Sequence, residues 1–265
     1  MYYKPEICSA FADGVEMRYF KFGKGEKAFV MLPGLSLKSI MESAQSVAST
    51  YRQFGEEYTV YVFDRKCGIE AGYSIENMAE DTAEIMKKIG ISDAYVFGVS
   101  QGGMIAICLA AEHPELVKKL FLASTSAKET DVSKATFVEW VLLALRGKTD
   151  ELAGSFADRL YTNDFLEKYR EFIIRMHEGT TSDELLRFCI LAAACEGLDL
   201  TEQLKKIKCP AIVAGAAGDK VFSTDDFRLI SESLGCEMFI YDDFCHAVYD
   251  EAPDFKERIA AFFSD

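Results

Sequence analysis

The chain reads as an α/β protein, with a mostly parallel eight-stranded sheet, helices on both faces and a helical segment inserted after the sixth strand. Three observations predict it. Short apolar runs bounded by glycine or charge alternate with stretches of helical periodicity, the pattern of successive βαβ units. That alternation stops after Ser124-Thr125-Ser126 and resumes only near Cys209-Pro210, and the residues between show helix patterns without a strand pattern. With 265 residues and 49% hydrophobic content there is material for one sizeable core, so a single domain with an insertion accommodates the length, as two small domains would.

The elements follow in order. Ile7 to Ala12 and Val15 to Phe22 flank Asp13-Gly14, the two-residue turn that favours a hairpin. Further strands are expected at Ala28 to Leu32, Tyr58 to Asp64, Ala94 to Val99, Lys119 to Ala123, Ala211 to Ala214 and Met238 to Tyr241. Helices are expected at Leu37 to Phe54, Ser74 to Ile89, Gln101 to Glu112, Ser223 to Leu234 and Asp250 to Phe263. Ser74 is placed to cap its helix, and Phe255, Ile259, Phe262 and Phe263 give the last helix a face for the sheet. Met104 to Ala111 is apolar all round, which predicts a helix buried under other layers. In the inserted segment helices are expected at Val132 to Leu145, Thr149 to Tyr161, Asp164 to His177 and Asp183 to Cys195. The first is apolar enough to predict cover on two sides.

Charge narrows the function classes. With 29 basic and 43 acidic residues the formal charge is −14, which repels nucleic acid and anionic membrane surfaces and leaves small molecules as the expected partners. Such a charge also serves plain solubility. The eight cysteines show no C-x-x-C spacing, and Cys108 and Cys189 sit in apolar runs as small hydrophobes. The start, Met1-Tyr2-Tyr3-Lys4-Pro5-Glu6, lacks the apolar core of a signal peptide, and no run reaches 18 apolar residues, so a reducing cytoplasmic location is expected. There is no H-E-x-x-H and no cluster of His and Cys, so no metal and no organic cofactor are expected.

The chemistry centres on Gly98-Val99-Ser100-Gln101-Gly102-Gly103, which lies between a strand run and a helix run. A strand, Gly-x-Ser-x-Gly and a helix in that order present a nucleophilic serine on a sharp turn. The turn needs φ > 0 at Ser100 and no side chains at Gly98 and Gly102, while Gly103 lets the helix come close to the sheet. By itself this pattern arises by chance in about one chain in ten of this length, so a base and an orienting acid must be found. The chain has three histidines. His246 falls after the last strand and before the last helix, at the carboxyl edge of the sheet where Ser100 also emerges. His113 precedes Pro114 at a helix end, a structural position, and His177 lies among polar residues, where a solvated ring is expected. Asp219 follows the seventh strand in a small-residue turn at the same edge and precedes the histidine. Asp242 and Asp243 are rivals, but stand too close to His246 in sequence to reach Nδ1 easily. For a developing oxyanion, the backbone N–H of Gln101 at the helix start and that of Leu35, after Pro33-Gly34 on the loop following the third strand, are the expected donors. Trp140, Tyr161 and Tyr169 of the insertion either line a pocket or fill the insertion's own core, and Trp140 is the candidate substrate contact.

The chain resembles the α/β-hydrolase superfamily over nearly its whole length. The residues that carry the likeness are the elbow at Ser100, Asp64-Arg65, Ala111-Glu112-His113-Pro114-Glu115, Asp219, His246 and Ala252-Pro253-Asp254-Phe255. It is most similar to capped esterases and lactonases. The resemblance implies a core formed by residues 1–125 and 209–265, with residues 126–208 as a helical cap over the site. It also implies a Ser100–His246–Asp219 triad acting on an ester, thioester or lactone through an acyl-enzyme. The fold hosts other chemistries, so C–C bond or amide hydrolysis and slow-turnover ligand binding stay open, and steady-state turnover discriminates the last. Ser100 in the place of an aspartate speaks against dehalogenase and epoxide hydrolase chemistry. Two departures stand out. Pro33-Gly34 replaces the usual His-Gly, and Arg65-Lys66-Cys67-Gly68-Ile69-Glu70 replaces Arg-Gly-x-Gly-x-Ser.

Overall fold

The structure, a computed structural model, describes residues 3–264; Met1, Tyr2 and Asp265, at the outer ends of the segments 1–125 and 209–265, lie outside it. Strands β1 (Glu6–Ala12) and β2 (Val15–Gly23) form a hairpin in which Ala12 pairs with Val15. Both turn residues, Asp13 (φ 47°) and Gly14 (φ 84°), are left-handed, the twist a two-residue hairpin demands. Then come β3 (Lys27–Leu32), α1 (Ala44–Thr50), β4 (Tyr58–Lys66), α2 (Ile75–Lys88), β5 (Ala94–Val99), α3 (Gln101–Glu112) and β6 (Val117–Ala123). The insertion holds α4 (Asp131–Leu145), α5 (Thr149–Leu160), α6 (Asn163–Arg175), α7 (Ser182–Ala193) and a short α8 (Thr201–Leu204). Strand β7 (Ala211–Ala216), α9 (Thr224–Leu234), β8 (Glu237–Tyr241), α10 (Val248–Glu251) and α11 (Phe255–Phe263) complete the chain.

The sheet has the order β1-β2-β4-β3-β5-β6-β7-β8, antiparallel at β1 and β2 and parallel from β4 onward. Every residue of β5 is buried, because it sits mid-sheet under helices on both faces. Alternate residues of β3 enter different cores: Val30 and Leu32 meet α2 and α3, whereas Phe29 and Met31 meet α1 and α11. On the second face Phe29, Phe97, Phe121 and Phe263 form a continuous edge-on aromatic layer, which Phe255 joins with a tilted ring. Strand order reverses between β4-β3 and β5, so the chain leaves β3 and β5 in opposite directions and a crevice opens at their carboxyl ends.

Several expectations are corrected. Leu37 to Phe54 is not one helix: only Ala44–Thr50 is α-helical, between 3-10 turns at Ile40–Ser43 and Arg52–Glu56. The segment is serine-rich, and Ser36 and Ser39 hydroxyls bond nearby main chain in place of a helical ladder. Asp250 to Phe263 is broken at Ala252, the residue before Pro253, which proline holds extended (ψ 123°). In the insertion Thr130, Thr162 and Thr181 cap α4, α6 and α7 through their hydroxyls. Helix α4 is not covered on two sides. It buries Phe137, Trp140 and Ala144, while Val138, Leu142 and Leu145 stay exposed. Among the described residues no helix is long and apolar enough to cross a membrane.

Candidate active site

Ser100 occupies the turn between β5 and α3 with φ 53° and ψ −123°, a conformation an L-residue adopts only when its surroundings impose it. Those surroundings are hydrogen bonds. Its N–H donates to the Ala123 carbonyl (3.0 Å), and its own carbonyl accepts from Gly103 N–H (2.8 Å) and the Thr125 hydroxyl (2.7 Å). A Cβ on Gly102 would lie 1.9 Å from the Leu32 carbonyl oxygen, so it is the end of β3 that demands glycine there. Likewise Gly103 abuts Thr125, on the loop after β6, where a Cβ would lie 2.6 Å away.

His246 lies on the loop between β8 and α10, its carbonyl accepting from the Ser124 hydroxyl at 2.7 Å. Consecutive hydroxyls at the end of β6 thus hold the backbone of Ser100 and of His246. Ser124 is itself left-handed (φ 44°). The His246 ring faces Phe222, and its Nδ1 is 2.8 Å from Asp219 Oδ2. The other Asp219 oxygen accepts from the N–H of Val221 (2.7 Å) and of Phe222 (3.0 Å). These donors keep the fully buried carboxylate satisfied as an acceptor, so Nδ1 carries the proton and the Nε2 lone pair is left facing outward from the pair. Asp242 and Asp243 are exposed.

Gly34 packs directly on the serine: a Cβ there would stand 3.2 Å from Ser100 Cβ and 3.6 Å from Oγ. Leu35 follows on the same loop. The N–H of Gln101 belongs to the first turn of α3, where no helical acceptor exists. A brace that sequence reasoning missed holds this loop. Arg65, 6% exposed, donates to the Pro33 carbonyl (2.7 Å) and to Gln101 Oε1 (3.3 Å), and Gln101 Nε2 donates to the Leu191 carbonyl of α7 (2.6 Å). Burial pushes the Arg65 guanidinium down to about 10, still charged at neutral pH. Asp64 beside it accepts from Arg187 of α7 (2.7 Å). The signal available was Asp64-Arg65 at the end of an apolar strand, where a buried arginine must serve a partner.

A cavity of about 420 Å3 lies against this loop, lined by Gly34, Leu35 and Val99 among others. Ser100 is not itself in the lining, but Gly34 bridges the two. Trp140, the candidate substrate contact, is not there either. It stacks on Phe156 at 4.0 Å inside the insertion and donates to the Ser155 hydroxyl, so its bulk is spent on packing α4 against α5. Tyr161 does line the cavity, whereas Tyr169 is 47% exposed. His113 pairs with Glu80 at 2.8 Å. His177 is half-buried rather than solvated; burial and nearby Lys38 hold its pKa below the usual imidazole value.

A family model described as alpha/beta hydrolase fold matches residues 28–253. The chain belongs to that family. It is similar to 3-oxoadipate enol-lactonase 2 of Acinetobacter baylyi, with 24% identity over 231 residues that span 84% of this chain and 83% of the relative. In structure it is similar to the enol-lactonase from Burkholderia xenovorans LB400, with TM-score 0.83 and 20% identity over 97% of this chain and 100% of the other. It is also similar to the esterase from Exiguobacterium antarcticum, with TM-score 0.80 and 18% identity over 96% and 98% of the two chains. At these identities the structural likeness is one of fold.

Proposed function

We propose that this protein is a serine hydrolase that cleaves a carboxylic ester, thioester or lactone of a small, partly apolar molecule. Ser100 Oγ attacks the carbonyl carbon as His246 Nε2 takes its proton, and Asp219 holds the imidazole and stabilises its positive charge. The carbonyl oxygen, now an anion, is met by the N–H groups of Leu35 and Gln101, donors that cost no reorganisation because Arg65 and α3 already hold them. The imidazolium then protonates the leaving oxygen or sulfur. Water, deprotonated by the same imidazole, attacks the acyl-enzyme and frees the acid and Ser100. Residues 126–208 act as a cap that closes over this edge of the sheet.

The observation that carries this function is the buried Nδ1–Oδ2 pair, whose histidine main chain is tied to Ser124 next to the Thr125 that holds the strained Ser100 at the head of a twelve-residue helix. The similarity to a lactonase supports a cyclic ester among the substrates. Hydrolysis of p-nitrophenyl butyrate by the protein and by Ser100→Ala tests it: turnover falls by about 10^6 in the variant. A Ser100→Ala protein that retains the parent kcat overturns the assignment.

A further inference from the structure

The cavity against the oxyanion loop is not uniformly apolar. Its wall is built from the sheet face, α1, the region around α6 and α10, and it carries Val47, Val99 and Phe165 together with Tyr161, Tyr249 and Asp250. Asp250 is an exposed residue that lines the cavity, so an occupant displaces water from its carboxylate. The position of Tyr161 opposite it is set by hydrogen bonds. Ala247 N–H donates to the Leu160 carbonyl (2.7 Å), and Thr162 donates through both its N–H (3.2 Å) and its hydroxyl to the Glu251 carboxylate. The end of α5 is therefore stapled to α10, with Tyr161 and Asp250 facing one another between the staples.

Among the described residues Asp250 forms no ion pair. Lys256 of α11 is near enough to favour its charge, Glu251 opposes it, and the neighbouring hydroxyls of Tyr161 and Tyr249 are neutral. Neighbouring protein atoms push its carboxyl up to about 6, so at neutral pH the charge is present, offset in part by a hydrogen bond from the Tyr161 hydroxyl and by Lys256. A neutral, apolar occupant strips water from that charge without replacing it by an opposite one, and an anionic occupant adds repulsion. A cation relieves both, and aromatic rings beside it add attraction through their faces.

We propose that this cavity is a substrate subsite for an organic ammonium group, with Asp250 as counter-ion and Tyr161 and Tyr249 as its aromatic flank. It rests on the serine-hydrolase function above, since Gly34 joins the cavity to Ser100, and it narrows the substrate class to esters or lactones bearing an amine.

Binding without turnover isolates the subsite. Calorimetric titration of the Ser100→Ala protein at pH 8 with n-hexylammonium chloride, n-hexanol and sodium hexanoate compares a cation, a neutral molecule and an anion of one shape. The ammonium binds about tenfold tighter than the alcohol, the hexanoate binds weakest, and the ammonium's lead disappears in Asp250→Asn and Asp250→Ser. Equal affinity for ammonium and alcohol overturns the subsite, as does a lead that survives either substitution in a folded variant. If both variants misfold, the ammonium-to-alcohol ratio in the Ser100→Ala protein decides alone. These outcomes are independent of the p-nitrophenyl butyrate assay, whose failure overturns the hydrolase assignment and not the binding preference.

Discussion

The edge of the sheet and the inserted helices meet at the candidate site, but they are held by different means. Ser100, Asp219 and His246 sit on short loops whose main chain is bonded to neighbouring strands or loops, as in Ser100 N–H to Ala123 and the Ser124 hydroxyl to His246. The insertion shares the apolar core on one side through Phe137, Leu185 and Phe188, and its remaining ties are hydrogen bonds and an ion pair: Gln101 to Leu191, Arg187 to Asp64, Ala247 to Leu160 and Thr162 to Glu251. Helix α6 buries no residue at all, and its Phe172 is 57% exposed. The difference teaches that the candidate reacting groups are placed by backbone geometry, which tolerates little change, whereas the insertion's side of the cavity is formed by side chains such as Tyr161, Phe165 and Met176.

The largest expected effect lies on the rigid side. Asp219→Asn keeps the shape but can present an N–H to Nδ1, favouring the wrong tautomer, so kcat on p-nitrophenyl butyrate falls about 10^4-fold while circular dichroism is unchanged. A small kcat change would break the assignment of rigidity to this loop. Next comes a paired stability test by urea denaturation. Phe255→Ala, in the aromatic layer and fully buried, costs about 3–5 kcal/mol, and Phe172→Ser on α6 stays within about 0.5 kcal/mol. Comparable losses at the two positions would show the insertion to be as tightly built as the core.

Arg65→Lys probes the junction between the two regions. Arg65 Nη2 alone serves both Pro33 and Gln101, and the shorter lysine does not carry its Nζ to that point, so the Pro33-Gly34 loop loosens and kcat drops roughly 10- to 100-fold, with a smaller change in KM. The smallest effect concerns Asp250. Its carboxyl is raised from an ordinary value near 3.8 to about 6, so the folded state binds more protons than the unfolded state between those pH values and loses stability as pH rises through them. Asp250→Asn removes that loss. Thermal melting therefore finds the variant more stable than the parent at pH 8, with the gain gone by pH 4, and a gain that persists at pH 4 would assign it to packing instead.

Much of the fold was legible because its signals are local. The Asp13-Gly14 hairpin, the apolar β5 and the Ser74 cap each depend on a few adjacent residues. The failures are equally instructive. The serine-rich stretch after β3 has helical spacing of apolar residues, but its hydroxyls compete for the main chain, and periodicity is blind to that. Trp140 shows the limit for pocket residues: an aromatic on a helix carries the same signal whether it faces a ligand or, as here, Phe156.

The sequence by itself determined the α/β alternation, the sharp turn at Ser100 and the chain order of serine, acid and histidine, since each follows from short-range sterics and hydrogen bonding along the backbone. Only the tertiary structure decided that Asp219 meets Nδ1 while Asp242 and Asp243 are exposed, that Arg65 ties Pro33 to Gln101 and onward to Leu191, and that Asp250 lines a cavity under Tyr161. Those contacts join residues that no local rule relates. They exist because burying the apolar sheet faces brings distant loops to one edge, where each buried polar group must then find a partner.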